Sequence, residues 1–316
     1  MVTPAPPNEP KIYDVIIIGA GIAGLTAAIY ACRAKKSVLC IESTTYGGQI
    51  INTARIENYP ATPHISGLDL ATATYQQAED FGTEFVFEKV IEIHDKGTSY
   101  KRVITEDSKY KGRTVIIATG STERHLGLEN EQSLIGKGVS YCATCDGNFF
   151  KDQDVAVNGG GNTAMWDALY LSGICKTVTI IHRRDEFRAD AHLLDLVKRK
   201  HNVKFITNVN VTNLLTDKET GKLSSIEVAD PTGKTTNVPV TGLFVAIGRI
   251  PTTDPFTPLI NVNESGYIIA GEDCHTNIPG IFAAGDTRTK SLHQLVTAAS
   301  DGAIAATEAI DYLNNL

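Results

Sequence analysis

The feature of this 316-residue chain that most limits its fold is a glycine-rich turn that occurs twice. The first copy, Gly19–Gly24, follows the apolar run Ile12–Ile18, and the second, Gly159–Ala164, follows Asp154–Asn158. Each copy leads into a helical pattern. Glycines let the backbone turn tightly and let a pyrophosphate approach the helix N-terminus, where free N–H groups and the helix dipole favour an anion. The copies begin at residues 19 and 159, 140 positions apart, so the sequence predicts a duplicated dinucleotide-binding unit.

The residue that ends the strand after each turn indicates which dinucleotide each unit prefers. In the first copy the strand Ser37–Ile41 ends at Glu42, whose carboxylate can bind ribose hydroxyls. The corresponding position of the second copy, 140 residues further on, is His182. It is followed by three arginines, Arg183, Arg184 and Arg188. Arginines suit a 2′-phosphate, so the first unit is predicted to bind a dinucleotide without one and the second to bind NADPH.

A close pair of cysteines, Cys142 and Cys145, lies just before the second strand–turn–helix pattern, and Asp146 follows it. Two thiols at this spacing can close a small ring and reopen it, and the neighbouring carboxyl is placed to donate a proton. Half of a zinc site has the same spacing, but a structural site needs a second close pair. The other cysteines are scattered singly, at Cys32, Cys40, Cys175 and Cys274, and the eight histidines offer no pair at ligand spacing. The pair is therefore predicted to be redox-active, and FAD is inferred in the first unit because flavin passes two electrons from a hydride to a disulfide.

Composition excludes several classes of partner. The net charge of −7 gives no electrostatic reason to bind nucleic acid or an anionic membrane. Residues 1–10 hold four prolines and no apolar segment of the kind a signal peptide needs, so they are predicted to form a disordered tail. Six cysteines with one close pair do not make a secreted disulfide framework, and a cytoplasmic location is expected.

Two strands that end at glycines indicate how the units are connected. The strand Arg113–Ala118 closes on Thr119-Gly120, and Leu243–Ile247 closes on Gly248. Two such exits suggest two crossings between the units, so the second unit is predicted to be inserted into the first. We expect an α/β fold with two Rossmann-like domains: a discontinuous FAD-binding domain, residues 11–121 and 250–316, and an NADPH-binding domain, residues 122–249, that carries the cysteine pair.

Further helices and strands follow from hydrophobic periodicity and turn composition. The predicted helices are Leu25–Ala34, Leu68–Phe81, Met165–Ser172 and Ser300–Leu313. Further predicted strands are Thr177–Ile181 and a buried segment around Gly280–Asp286, and Asp217–Lys222 and Asp230–Asn237 are predicted to be turns between short strands.

From about Tyr13 onward the chain resembles the low-molecular-weight thioredoxin reductases. The resemblance rests on Gly19–Gly24, Gly47-Gly48-Gln49, Ala118-Thr119-Gly120, Cys142–Asp146, Gly159–Ala164, His182-Arg183-Arg184 with Arg188, and Gly285-Asp286. It implies a homodimeric flavoenzyme that passes electrons from NADPH through FAD and the cysteine pair to thioredoxin. By these roles, Cys145 would face the flavin, Cys142 would attack the partner disulfide and Asp146 would be the acid–base group. It also implies that the NADPH domain rotates about the two crossings.

The resemblance and the motifs together assign candidate residues to each cofactor. The residues expected to contact FAD are Gly19, Gly21, Ile22, Ala23, Glu42, Gly47, Gly48, Gln49, Asn58, Val90, Ala118, Thr119, Gly120, Gly285, Asp286, His293, Gln294 and Leu295. The residues expected to contact NADPH are Gly159, Gly161, Asn162, Thr163, His182, Arg183, Arg184, Arg188, Ile247 and Gly248.

Three positions depart from the family pattern. Trp166-Asp167 replaces the usual acidic pair after the second turn, and Asn158 takes a usually aliphatic strand position, so both bear on nicotinamide placement. His293 replaces an arginine beside the flavin and is either a hydrogen-bond donor or a packed surface residue. These departures leave open a different electron donor, namely NADH, ferredoxin or another flavoprotein. The acceptor could also be a different redoxin or a small disulfide, and a less favoured function is that of a flavin-binding redox sensor without turnover.

Overall fold

The structure is a computed structural model that describes residues 11–316 except residues 54, 63, 96 and 98, and for residue 52 it describes the backbone alone. The predicted N-terminal tail, residues 1–10, lies outside the described residues. The chain divides into two compact units. The first unit comprises the described residues up to Thr122 together with Ile250–Leu316, and the second is Glu123–Arg249.

Among the described residues, strands outnumber α-helices in both units. The strands are β1 (Ile12–Ile18), β2 (Val38–Glu42), β3 (Glu84–Phe87), β4 (Val90–His94), β5 (Lys101–Thr105), β6 (Lys109–Ile117), β7 (Ser121–Glu123), β8 (Val139–Ser140), β9 (Asp154–Asn158), β10 (Thr177–His182), β11 (Val203–Thr207), β12 (Asn210–Thr216), β13 (Leu223–Ala229), β14 (Thr235–Pro239), β15 (Gly242–Val245), β16 (Arg249–Pro251) and β17 (Ile281–Ala283). The α-helices are α1 (Ile22–Arg33), α2 (Gly67–Asp80), α3 (Ala143–Asp146), α4 (Asn162–Ser172), α5 (Ala191–Lys198) and α6 (Leu295–Asn314). Short 3-10 helices span Gly48–Asn52, Gln132–Leu134, Gly147–Phe150, Asp254–Phe256 and Gly285–Thr287.

The first unit is built on a sheet in the order β3-β2-β1-β6-β5-β4, with β17 also paired to β6. The strands β3, β2, β1, β6 and β17 run parallel, and their order around β1 is that of a Rossmann half. Helices α1 and α6 pack together on one face of the sheet. Their contact depends on Gly302, because a Cβ there would lie 2.1 Å from the carbonyl oxygen of Ala23.

The second unit repeats this arrangement with five parallel strands in the order β11-β10-β9-β15-β8. Side chains of β9 alternate between the two faces, as they must in a strand. Val155 and Val157 pack against α4 and α5, whereas Ala156 packs against the three-stranded antiparallel sheet β12-β13-β14. The alternation places a helical layer on one face and a second sheet on the other.

The prediction of two Rossmann-like units is therefore confirmed, and the differences concern element boundaries, one strand and one helix. Helix α1 begins at Ile22 rather than Leu25, and α6 begins at Leu295 rather than Ser300, because a capping box at Gln294 starts it earlier. The prediction that Asp230–Asn237 is a turn was wrong in its second half. There the β-branched threonines of β14 pair with β13. Helix α5 was not predicted.

Within the described residues, no helix combines the length and apolar character needed to cross a bilayer. The two chain crossings between the units, β7 and β16, pair with each other as a two-stranded sheet.

Candidate functional site

The first glycine turn, between β1 and α1, leaves open space at the N-terminus of the helix. Gly19 has a φ of 104°, and a Cβ there would lie 2.4 Å from the carbonyl oxygen of Ala118, so the position excludes other residues. Gly21 is the N-cap of α1, and no atom lies within 4 Å of the place a Cβ would occupy. No side chain caps the helix. The first-turn N–H groups are therefore available to an anionic group such as a pyrophosphate.

The segment after β2 packs against this turn. The Gly47 N–H donates to the Ala20 carbonyl oxygen over 2.7 Å, and the space beside Gly48 is bounded by Gly21. Glu42 is fixed at the same turn, because one carboxylate oxygen accepts the Ala20 N–H at 2.8 Å. The structure thus brings the predicted ribose-binding carboxylate and the predicted small-residue path to one place.

The ends of β6 and β17 complete the surroundings of the first turn. Ala118 lies against Gly19, and the Thr119 hydroxyl donates to the carbonyl oxygen of Thr252 at 2.6 Å. Gly285 has a φ of 75°, and a Cβ there would lie 2.9 Å from the Cβ of Ala23 at the start of α1. Gly120 also has a positive φ, of 66°, with no atom within 4 Å of a Cβ position.

A buried ionic cluster holds the Gly285 turn. Both oxygens of the Asp301 carboxylate accept from the Arg288 guanidinium, at 2.9 and 2.8 Å, and one also accepts from Lys290 and from the Gly285 N–H, each at 2.9 Å. These hydrogen bonds lower the pKa of Asp301 against the opposing effect of its burial. The backbone beside Asp286 is thereby fixed by charge-assisted hydrogen bonds. Sequence reasoning did not assign this role to any of the three charged residues.

The remaining candidates for FAD contact lie in several different settings. The Asn58 amide donates to the Gln294 side chain at 3.0 Å, and the His293 ring lies 5.6 Å from that of Tyr267. Val90 lies in the hydrophobic core with its side chain buried, so only its backbone could face a ligand. The rest are placed as follows: Gln49 is exposed in the 3-10 helix Gly48–Asn52, Ile22 and Ala23 are buried in the first turn of α1, and Leu295 is the first residue of α6.

The second glycine turn, like the first, leaves the N-terminus of its helix uncapped and open. Gly161 is the uncapped N-cap of α4, and no atom lies within 4 Å of its Cβ position. Gly159 must be glycine because a Cβ would lie 2.3 Å from the carbonyl oxygen of Ala246. Gly160 is required for another reason, since a Cβ there would lie 2.2 Å from the His182 ring.

A cleft of about 320 Å³ opens beside this turn, at the carboxyl edge of the sheet. Its lining residues are Arg124, Leu126, Asn158, Gly159, Gly160, His182, Arg183, Arg188, Asn210, Val211, Ala246 and Ile247. Two of the three predicted arginines thus line the cleft, whereas Arg184 is not among its lining residues. Within the described part of the chain, no carboxylate forms an ion pair with any of the three, so their charge is available to a bound anion.

His182 lies in the cleft wall as a packed neutral ring. It is buried, stacks on Phe187 with ring centroids 4.8 Å apart, and lies 3.1 Å from the carbonyl oxygen of Glu186 through Nε2. Burial is the main cause that lowers the pKa of His182, and the neighbouring arginines lower it further. The positive charge at this end of the cleft therefore comes from Arg183 and Arg188.

The other predicted NADPH contacts lie around the same turn. The Asn162 side chain exchanges two hydrogen bonds with Asp190, at 2.9 and 2.8 Å, and so ties α4 to the N-cap of α5. Thr163 is exposed in the first turn of α4. Gly248, with a φ of 112°, lies at the crossing after β15, where its carbonyl oxygen accepts the Arg124 N–H at 3.0 Å.

Cys142 and Cys145 form a disulfide at the N-terminus of α3, in the same unit as the cleft. The Cys145 backbone N–H donates to the sulfur of Cys142 over 3.2 Å. A hydrogen bond of this kind stabilises a thiolate more than a thiol. Once the disulfide is reduced, this contact favours negative charge on Cys142.

Asp146 is held by Ser140, which sequence reasoning passed over. The Ser140 hydroxyl donates to the Asp146 carboxylate at 2.6 Å and accepts the Cys142 N–H at 3.1 Å. Burial raises the pKa of Asp146, and the bond from Ser140 partly opposes that rise. The result is a carboxyl group that retains a proton more readily than an exposed aspartate, next to the redox cysteines.

The segment before Cys142 is anchored by a second buried carboxylate. Glu131 accepts the backbone N–H groups of Leu126 and Gly127, both at 2.9 Å, and also the hydroxyl of Tyr141. His125 approaches the same hydroxyl at 2.7 Å. Burial and the bond to Glu131 raise the pKa of Tyr141, so the hydroxyl stays protonated. No local sequence pattern predicts this hydrogen-bond network.

Comparison with known proteins agrees with this geometry. A family model described as pyridine nucleotide-disulphide oxidoreductase matches residues 13–302. The chain is 44% identical over 310 residues to a thioredoxin reductase of Listeria innocua serovar 6a, covering 98% of this chain and 96% of the relative. The chain belongs to the pyridine nucleotide-disulphide oxidoreductase family.

The relatives of this chain within the family include thioredoxin reductases. It is 43% identical to the thioredoxin reductase of Bacillus subtilis, with 98% of this chain and 97% of the relative covered. The crystal structure of thioredoxin reductase from Streptococcus pyogenes superimposes with a TM-score of 0.90 at 42% identity and covers 98% of this chain and 100% of that one. The resemblance inferred from the motifs is therefore confirmed over nearly the whole length.

Proposed function

We propose that the protein is an NADPH-dependent flavoprotein that reduces the disulfide of oxidised thioredoxin. The observation that carries this proposal is the placement of the Cys142–Cys145 disulfide in the same unit as a dinucleotide cleft lined by three arginines, none of which forms an ion pair with another described residue. Family membership and the near full-length likeness to thioredoxin reductases support the same function.

The residues of the two turns suit the two cofactors. FAD would be held by the open N-terminus of α1 at Gly21, with Glu42 toward its ribose. NADPH would be held by the N-terminus of α4 at Gly161, with its 2′-phosphate on Arg183 and Arg188. When bound, the pair supplies a hydride and its conversion into two electrons that reduce the disulfide.

The protein's own residues carry out the exchange with thioredoxin. After reduction, the Cys142 thiolate, favoured by the Cys145 N–H, attacks one sulfur of the thioredoxin disulfide and forms a mixed disulfide. The released thioredoxin thiolate takes a proton, and Asp146, whose raised pKa lets it hold one, is placed to supply it. Cys145 then attacks the Cys142 sulfur, which restores the original disulfide and releases reduced thioredoxin.

Three further features belong to the same proposal. The partner is thioredoxin, as the names of the relatives indicate. The resemblance supports a homodimer and a rotation of the second unit about the crossings near Gly120 and Gly248. Cys32, Cys40, Cys175 and Cys274 carry free thiols, which supports a cytoplasmic location.

Anaerobic stopped-flow mixing tests both ends of the electron path. The purified yellow protein is mixed with NADPH and, separately, with NADH, and oxidised thioredoxin is added afterwards. We expect rapid bleaching by NADPH and recovery of the yellow colour with thioredoxin. Cys145→Ser is expected to keep its FAD and lose thioredoxin reduction. Absence of bleaching with NADPH, or full thioredoxin reduction by Cys145→Ser, would overturn the assignment.

A further inference from the structure

Asn158 ends β9 at the floor of the second-unit cleft. Because side chains alternate along a strand, it stands on the face of Ala156, toward the sheet β12-β13-β14, and away from that of Val157. Two cleft residues that pack with the hydrophobic cluster on that face, Leu126 and Val211, are apolar, and the polar residues Arg124 and Asn210 also line the cleft. Asn158 therefore places a polar side chain at the edge of this hydrophobic cluster, where the cluster meets the cleft.

The side-chain amide of Asn158 forms no hydrogen bond with another described residue. Its backbone carbonyl oxygen, by contrast, accepts the Ala246 N–H at 2.8 Å within the sheet. Asn158 is half-buried, but neither polar atom of its amide is fully enclosed, so the amide remains accessible to solvent and to a ligand in the cleft. The amide offers two donors and one acceptor toward the cleft.

The sheet order locates this amide along the cleft. The residues predicted to hold the 2′-phosphate, Arg183 and Arg188, follow β10, which pairs with β9 on one side. On its other side β9 pairs with β15, whose end leads to Ile247. Neighbouring strands lie about 4.8 Å apart. Asn158 is therefore one strand away from the 2′-phosphate end, beside the glycine turn that receives the pyrophosphate.

We propose that Asn158 is a cofactor-binding residue that hydrogen-bonds the nicotinamide-side phosphate and ribose of the dinucleotide. This inference rests on the proposed function, because it takes the occupant of the cleft to be NADPH. The contact contributes to binding of the whole dinucleotide and not to binding of its adenosine 2′-phosphate half. It also fixes how far the nicotinamide end extends from the arginines.

Comparing the binding of the whole dinucleotide with the binding of its adenosine half tests this assignment of Asn158. The full-length protein with FAD bound is titrated by calorimetry with NADP⁺ and with 2′,5′-ADP, which carries the 2′- and 5′-phosphates of the adenosine half but lacks the nicotinamide-side phosphate and ribose. Asn158→Leu, which has nearly the same shape without polar atoms, is compared with the wild type. A hydrogen bond to a charged ligand is worth about 1.5 kcal/mol, or about tenfold. We expect Asn158→Leu to bind NADP⁺ about tenfold more weakly and 2′,5′-ADP within twofold of the wild type.

Two controls separate the possible failures. Asn158→Asp keeps the shape and adds a negative charge, so it should weaken NADP⁺ at least as much as Asn158→Leu does, and thermal melting checks that both variants fold. Unchanged NADP⁺ affinity in Asn158→Leu overturns the inference alone, and a parallel loss of 2′,5′-ADP affinity overturns the assigned position. If the wild type binds neither probe, the proposed function falls together with the inference.

Discussion

Replacing Arg183 by alanine should weaken binding of NADPH about tenfold and leave binding of NADH within twofold. Arg188→Ala should behave in the same way, whereas Arg184→Ala should change neither affinity by more than about twofold. The distinction comes from the cleft, which Arg183 and Arg188 line and Arg184 does not.

The expected tenfold loss of NADPH affinity follows from the strength of the hydrogen bonds that each arginine would make to the 2′-phosphate. Charge-assisted hydrogen bonds contribute roughly 1.5 to 3 kcal/mol when well formed. Both cleft arginines are exposed, so solvent screening places each near the lower limit of about 1.5 kcal/mol, which corresponds to about tenfold. The buried His182 ring adds no charge of its own, because its pKa is lowered by burial. Loss of one arginine therefore removes a large share of the positive charge at this end of the cleft.

Isothermal titration with NADP⁺ and NAD⁺ measures the effect without turnover. Arg184→Ala is the matched control, since it removes the same charge from the same loop at a position outside the cleft. An equal loss of NADP⁺ and NAD⁺ affinity in Arg183→Ala would refute the assignment of the 2′-phosphate. A tenfold loss in Arg184→Ala would show that charge in the loop, and not the geometry of the cleft, determines the preference.

Three further predictions concern the flavin turn and two carboxyl groups. Gly21→Val should fold but lose FAD, because the new side chain enters the open space at the α1 N-terminus without a clash; retention of the yellow colour would contradict this. Ser140→Ala removes a bond that lowers the pKa of Asp146, so the Asp146-dependent limb of the pH profile for thioredoxin reduction should move to higher pH; a shift to lower pH would contradict it. Burial raises the pKa of Asp167 to about 7. Between about pH 4 and 7 the folded protein therefore keeps a proton on Asp167 that the unfolded chain has lost. The free energy of unfolding of the wild type should fall across this range by up to about 1.4 kcal/mol per pH unit. Asp167→Asn should remove this decline. In urea unfolding at pH 8 the variant should be more stable than the wild type by roughly 1 to 3 kcal/mol, and at pH 4 the two should differ little. Equal effects of the substitution at both pH values would count against this prediction.

The parts of the fold that depend on local backbone geometry could be predicted from the sequence. The two glycine turns and the flanking strands Ile12–Ile18 and Asp154–Asn158 lie where the pattern places them. A turn that must pass close to another backbone accepts only glycine, and that requirement is visible in sequence. The short strand β14 was mistaken for part of a turn because its pairing with β13 is a tertiary contact.

Details of the site depend on contacts between residues distant along the chain or folded back within a loop. The register of the repeat predicted His182 at the ribose position, and it does line the cleft, but the repeat could not show that its ring stacks on Phe187 and lies against Gly160. The loop after β10 folds back so that the Arg188 N–H donates to the Gly160 carbonyl oxygen at 2.8 Å, and this brings Arg188 to the cleft. Neither hydrophobic period nor charge pattern contains that information. The support of Asp146 by Ser140 is equally invisible, because a serine six residues before an aspartate has no characteristic pattern.

The paired crossings make the second unit a transferable module. Its first and last residues, Glu123 and Arg249, form an ion pair at 3.1 Å, so the unit leaves and rejoins the chain at neighbouring points. A segment whose two ends meet can be excised and the gap closed by a short loop, or replaced by another domain with adjacent ends, with little entropic cost of closure. Gain, loss or exchange of this unit by recombination would thus require one junction to be matched in space, although two are cut in the gene.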